Sequence, residues 1–115
     1  MNEIQFYTDD KGNSPIKDFL EKLNPKQAQK VTWVLNLIEE HEIIPNTYLK
    51  KMVNTNDIWE VRIQSSNNAY RLMCFRFKNK FIVLTNGFQK KSQKTPQNEI
   101  LLAEKRKTDW LRRFK

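Results

Sequence analysis

Residues 58–84 read IWEVRIQSSNNAYRLMCFRFKNKFIVL, and the fold follows from how that stretch divides. Ile58 to Gln64 alternates, with Trp59, Val61 and Ile63 on one side and Glu60, Arg62 and Gln64 on the other, the period of a half-buried strand. Ser65-Ser66-Asn67-Asn68 has the composition of a turn. Ala69 to Phe77 is a second strand, apolar on both sides except at its arginines. Lys78-Asn79-Lys80 turns the chain again, and Phe81-Ile82-Val83-Leu84 is the unbroken apolar run of a central strand covered on both faces. Three consecutive strands joined by tight turns make an antiparallel meander.

Before the meander, Glu3 to Thr8 reads as a short strand and Asp9 to Asn13 as a turn. Ser14-Pro15 and Asn24-Pro25 each place a capping side chain before a proline at the first helical position, and Gln27 is spaced for a capping box. Ile16, Phe19, Leu20 and Leu23 fall on one helical face; Ala28, Val31, Leu35 and Ile38, widened by Val34, form the stripe of a second helix running to about Glu42. The short connection between them predicts a helical hairpin. Residues 43–57 are expected to be loop. After the meander, Gly87 is expected to end the last strand, Gln89 to Lys94 to form a polar loop, and Thr95-Pro96 to open a final helix bearing Ile100, Ala103, Trp110 and Phe114. The expected architecture is α+β, in the order β-α-α-β-β-β-α. It is a single domain over residues 1–115, with an antiparallel sheet covered by the hairpin and a C-terminal helix.

The net charge of +8 is unevenly placed. Residues 1–75 hold nine Lys/Arg against ten Asp/Glu, whereas residues 76–115 hold twelve against three. A basic last third implies an anionic partner, whether nucleic acid, an acidic protein or a membrane surface; the plainer alternative is a solvated helix that aids solubility. No run approaches the roughly 20 apolar residues of a membrane helix. The opening MNEIQFYTDDKG lacks the basic and apolar regions of a secretory signal, so a cytoplasmic protein is expected. The single cysteine, Cys74, sits in an apolar strand and reads as a buried thiol. The single histidine, His41, lies at a helix end between two glutamates and reads as exposed. One His and one Cys make no zinc set, and no glycine-rich phosphate loop occurs. Asp9-Asp10 and Glu39-Glu40 are adjacent pairs that point to different faces, so neither a metal site nor a cofactor is expected.

What remains for chemistry is a set of cations on the sheet. Arg62 shares a strand face with Glu60, and Arg71 sits in an otherwise apolar strand. Such arginines are either a structural ion pair with Glu60 or a phosphate-binding surface, to which a planar guanidinium brings two parallel donors. Phe88, Lys90, Lys91 and Lys94 put an aromatic ring beside three ammonium groups, the combination that stacks a base and holds its backbone; Phe88 is equally suited to the core. Lys50 and Lys51 are candidates for an opposite rim.

The blocks IWEVRI (58–63), AYRLM (69–73) and above all NGFQKKSQKTPQNEILLAEKR (86–106) resemble the RelE/HigB toxin superfamily, in its phage-derived HigB-like branch. The likeness covers roughly residues 45–107. It implies a RelE-like compact fold in a type II toxin–antitoxin toxin. The implied activity is ribosome-dependent endonucleolytic cleavage of mRNA, which inhibits translation. It also implies a neighbouring helix-turn-helix, HigA-like antitoxin, with operator DNA contacted only through the antitoxin complex. Family roles carry over onto Arg62 and Arg71, then Lys90 and Lys91, with Phe88 as the aromatic of the motif. Many relatives carry histidine where this chain has Asn86. The chemistry expected of such a set is attack of an RNA 2′-hydroxyl on the adjacent phosphate without metal. Arg62 and Arg71 would stabilise the phosphorane, and Lys90 or Lys91 would move protons; Glu60 is a second candidate base. The rival reading is a basic RNA- or DNA-binding module that leaves its ligand intact.

Overall fold

A computed structural model describes residues 2–114. The elements are β1 (Glu3–Phe6), α1 (Pro15–Glu21), α2 (Pro25–Glu40), β2 (Leu49–Lys51), β3 (Ile58–Ser65), β4 (Asn68–Phe77), β5 (Phe81–Lys90) and α3 (Gln97–Phe114). The five strands form one sheet in the order β1-β5-β4-β3-β2; β1 runs parallel to β5 and every other pair is antiparallel. The meander read from the sequence is its centre, and the hairpin is the crossover that makes the parallel pair.

Both hairpin helices start where their caps direct. The Ser14 hydroxyl accepts from the Lys17 amide. Asn24 and Gln27 bond each other's backbone amides at 2.8 and 3.1 Å, satisfying two donors that would otherwise be orphaned. Ile16, Val31, Val34, Leu35 and Ile38 pack on Val61, Ile63, Leu72, Cys74, Ile82 and Leu84. On the opposite face Ile100, Ala103 and Trp110 of α3 pack on Ile58, Met73, Phe75, Phe77 and Val83. Each fully buried side chain of this size contributes about 2 kcal/mol of apolar transfer. The first half of β5 is therefore covered on both sides, which accounts for its apolar run.

Three expectations are corrected. The 43–57 segment is not all loop: Leu49–Lys51 adds an edge strand to β3, in register Lys50 opposite Glu60 and Lys51 opposite Trp59. Three residues are too few to carry an alternation signal. Gly87 does not end β5, which continues to Lys90. Its missing side chain serves packing, because a Cβ there would lie 2.7 Å from Phe19 Cδ2 and 2.8 Å from Leu72 Cδ2. Thr95 does not cap α3; its hydroxyl is turned into the sheet, onto Glu60.

β5 also changes phase. Met73 pairs with Asn86 while Cys74 pairs with Leu84, so Thr85 is an extra residue opposite the Met73/Cys74 step. Its hydroxyl donates to the Met73 carbonyl at 3.1 Å. Before this bulge Val83 faces α3; after it Phe88 faces α3 and Gly87 meets α1. The bulge therefore puts Asn86, Phe88 and Lys90 on the α3 side, where strict alternation would have put Thr85, Gly87 and Gln89.

Candidate nucleic-acid-processing groove

α3 covers only part of its face of the sheet. Toward the β3–β4 turn the face stays open, and there the alternation of β3 presents Glu60 and Arg62, β4 presents Arg71 directly opposite Arg62, and β5 presents Phe88 opposite Arg71. Glu60 is the hub. Its side chain is 2% exposed; Oε1 lies 3.3 Å from Arg62 Nε and 3.4 Å from Arg71 Nε, and Oε2 accepts from the Thr95 hydroxyl. Neither Nε–H points straight at the oxygen, so these contacts are ionic and not well-aligned hydrogen bonds. Of the two ways of reading these arginines, the ion pair is what the geometry shows: Glu60 pairs with both, and two guanidiniums against one carboxylate leave an excess positive charge.

The outer ends of the two guanidiniums reach the surface. Arg62 Nη1 donates to the Asn46 carbonyl at 3.4 Å and Arg71 Nη1 to the Tyr70 carbonyl at 3.0 Å. Their environments differ. Burial lowers the Arg71 pKa from its ordinary value; Glu60 opposes that effect and Arg62 adds to it. An arginine starts so high that it remains charged at neutral pH.

In front of these groups lies a groove of about 530 Å³. Its walls include Lys50, Arg62, Lys90, Lys94 and Thr95, and Glu60 is the only carboxylate lining it among the described residues. Lys90 is partly buried, and its pKa is lowered from the usual lysine range, first by that burial and then by the charges of Arg71, Arg62 and Lys50, with Glu60 acting the other way. A lowered ammonium pKa increases the neutral amine available at physiological pH.

The structure thus brings Glu60, Arg62, Lys90, Lys50 and Lys94 around one opening, while Arg71, held by Glu60, lines the neighbouring hollow that it shares with Arg62. Lys51 lies at its edge, with its ammonium 3.7 Å from Asp57. Lys91 follows the end of β5, is exposed and does not line the groove. Phe88 is partly buried against the α3-side core, yet stands beside Arg71 in register. Two participants escaped the sequence reading. Thr95 read as a helix cap, and Asn46 fell within the expected 43–57 loop. Asn86 is buried under α3. Its Nδ2 donates to the Glu99 carboxylate at 2.8 Å and its Oδ1 accepts from Thr85 at 2.7 Å, so it fixes the start of α3. Cys74 and His41 are as expected, the first buried and the second exposed at the end of α2. No described helix is long and apolar enough to cross a membrane.

The sequence that folds into this basic α+β domain matches a known family. The chain belongs to the family of phage-derived Gp49-like proteins (DUF891), which matches residues 18–108, and the resemblance to the RelE/HigB superfamily read from its motifs is borne out. It is 40% identical over 58 residues to the protein named "Probable endoribonuclease HigB1" of Mycobacterium tuberculosis, in strains CDC 1551 / Oshkosh and ATCC 25618 / H37Rv. That match covers 50% of this chain and 46% of the relative, so the chain spans about half the length of the curated relatives it matches.

Proposed function

We propose that this single-domain protein is the toxin of a type II toxin–antitoxin system. It acts in the cytoplasm as a ribosome-dependent mRNA endoribonuclease, is neutralised by a HigA-like helix-turn-helix antitoxin, and meets operator DNA only through that complex. The observation that carries the reading is the Glu60–Arg62–Arg71 cluster opening onto Lys90 in a groove with one carboxylate. The name of the mycobacterial relative points to the same reaction type.

The chemistry follows from charge. The RNA 2′-oxygen bonds to the adjacent phosphorus as the bond to the 5′-oxygen breaks, leaving a 2′,3′-cyclic phosphate and a 5′-hydroxyl. Neutral Lys90 takes the 2′-hydroxyl proton, and the resulting ammonium returns it to the departing 5′-oxygen. Arg71 and Arg62 face the phosphate and stabilise the phosphorane, a preorganised field that costs no rearrangement during reaction. Glu60 has both oxygens occupied, so it positions the guanidiniums and does not act as the base. Lys50 and Lys94 hold the flanking backbone, with Lys51 at the rim, and Phe88 meets a splayed base. One carboxylate already held by two arginines is a poor donor set for a divalent cation, consistent with metal-free cleavage. The groove is open and nothing in it fixes the angle between attacking and leaving oxygens; the decoding site of the ribosome supplies that positioning.

The test is primer extension on mRNA in a reconstituted translation reaction, with and without ribosomes. New 5′ ends only in the presence of ribosomes are expected. Intact mRNA in both reactions, from folded protein, would leave a basic binding module.

A further inference from the structure

A second opening continues the groove on the far side of the arginines. Arg62 lines both the groove above and a neighbouring hollow that also contains Arg71, Tyr48 and Lys30. Lys30 and Gln64 then line a third hollow together with Trp33 and Lys26. The three depressions form one line through shared residues. Among the described residues, no Asp or Glu lines either of these two further hollows.

At the end of that line stands an aromatic ring that the core does not use. Trp33 is 49% exposed, although it sits on α2 between the buried Val31 and Val34. Lys30 Nζ lies 4.5 Å from its ring centroid and Tyr48 packs edge-on at 5.7 Å. A large aromatic held by a neighbour, half open to water and flanked by ammonium groups, is the arrangement by which proteins bind single-stranded nucleic acid without reading sequence. Its polar neighbours Gln29, Gln64 and Ser66 are uncharged, so nothing there repels a phosphate.

We infer that Trp33, with Tyr48, Lys30 and Lys26, is a stacking subsite for a nucleotide flanking the cleavage point, on the same RNA strand that lies against Arg62 and Arg71. The inference rests on the RNA-cleaving reading of the groove and adds a strand path to it. RNA leaves the groove past Arg62, its phosphates pass Lys30 and Lys26, and a base rests on Trp33. The subsite contributes affinity and strand direction and takes no part in bond making.

The experiment uses fluorescently labelled 2′-O-methyl RNA, which cannot be cut by its own 2′-oxygen, as a trimer that spans the groove alone and as a 12-mer that reaches past it. Anisotropy at low salt gives Kd for the full-length protein and its variants. Trp33→Ala should weaken 12-mer binding about tenfold, the loss of one stacked base, and leave trimer binding unchanged. Trp33→Phe keeps a stacking face and should recover most of the loss. Lys26→Ala should lower the slope of log K against log salt by about one for the 12-mer. Trp33 is half exposed, so these variants should fold, and their melting curves check it. If native protein binds the 12-mer and Trp33→Ala binds it equally well, the subsite is refuted while the groove stands; such a ring would then serve a protein partner. Equal loss on trimer and 12-mer also refutes it. Failure of native protein to bind either RNA overturns the groove reading and the subsite with it.

Discussion

Replacing Glu60 with glutamine removes the one negative charge between two arginines while keeping the side chain's shape. Both Nε atoms lie within 3.4 Å of one Glu60 oxygen, so they are at most about 7 Å from each other; at that separation and an effective dielectric of about 20, two unit charges repel by roughly 2 kcal/mol. The carboxylate is 2% exposed, and Arg71 and Arg62 are 12% and 29% exposed, so water screens the exposed charges only in part. Breaking a buried ionic cluster by removing one partner typically costs about 3–5 kcal/mol. Arg62 is the least buried member, so Glu60→Gln should cost about 3 kcal/mol and lower the melting temperature by roughly 10–15 °C. Arg62→Gln should cost much less, because Arg71 still neutralises Glu60. The double variant Glu60→Gln/Arg62→Gln should be no less stable than Glu60→Gln alone, because the second change relieves the repulsion created by the first. Urea unfolding of the four proteins gives the coupling. If the two losses simply add, or if Glu60→Gln is within about 0.5 kcal/mol of native, the cluster is not what holds the arginines. Cleavage supplies a second readout: a positioning Glu60 leaves the shape of the pH–rate profile intact when replaced, whereas a base would take the acidic limb with it.

Other outcomes follow from single contacts. Lys90→Met should abolish cleavage yet stabilise the protein at neutral pH. The sign follows from the lowered pKa: the folded state resists charging Lys90, so the native protein regains stability relative to the variant as pH rises through that lowered value toward the unfolded one. Parallel urea curves across the alkaline range would check this, and a constant difference would contradict it. Asp109 is held down to about 2 by the Tyr7 hydroxyl, then by Arg112 and Arg113. Its contribution should be complete above the unfolded carboxylate pKa and fade as pH falls toward about 2, so native and Asp109→Asn urea midpoints should converge in acid. Gly87→Ala should destabilise by about 1–3 kcal/mol, because the new methyl meets Phe19 and Leu72 at distances no Cβ tolerates; an unchanged urea midpoint would mean that α1 shifts freely.

Much of this site is legible in the alternation of β3. Once Ile58 to Gln64 is a strand, Glu60 and Arg62 share a face, and the short turn at Ser66-Asn67 sets Arg71 opposite Arg62. The caps at Ser14 and Asn24 are equally legible, because side chain and acceptor are three residues apart. The rest depends on distant contacts. The bulge at Thr85 decides that Lys90 and not Gln89 faces the groove, and it leaves no mark in a sequence where lysines are consecutive. Gly87 signals a stop by its residue type, yet the reason for it is Phe19, far back in α1. Thr95 satisfies the local rule for a cap, and a buried carboxylate from β3 takes its hydroxyl instead. Trp33 lies off the apolar stripe of α2, on its opposite face, a signal that could have been read as a surface aromatic.

The most direct measurement is the chemistry of the new mRNA ends made on ribosomes by native protein and by Arg71→Ala. Native protein should leave a 2′,3′-cyclic phosphate facing a 5′-hydroxyl, and the folded Arg71→Ala protein should leave the mRNA whole. A 3′-hydroxyl facing a 5′-phosphate, or cleavage undiminished by Arg71→Ala, would contradict cleavage by 2′-hydroxyl attack in this groove.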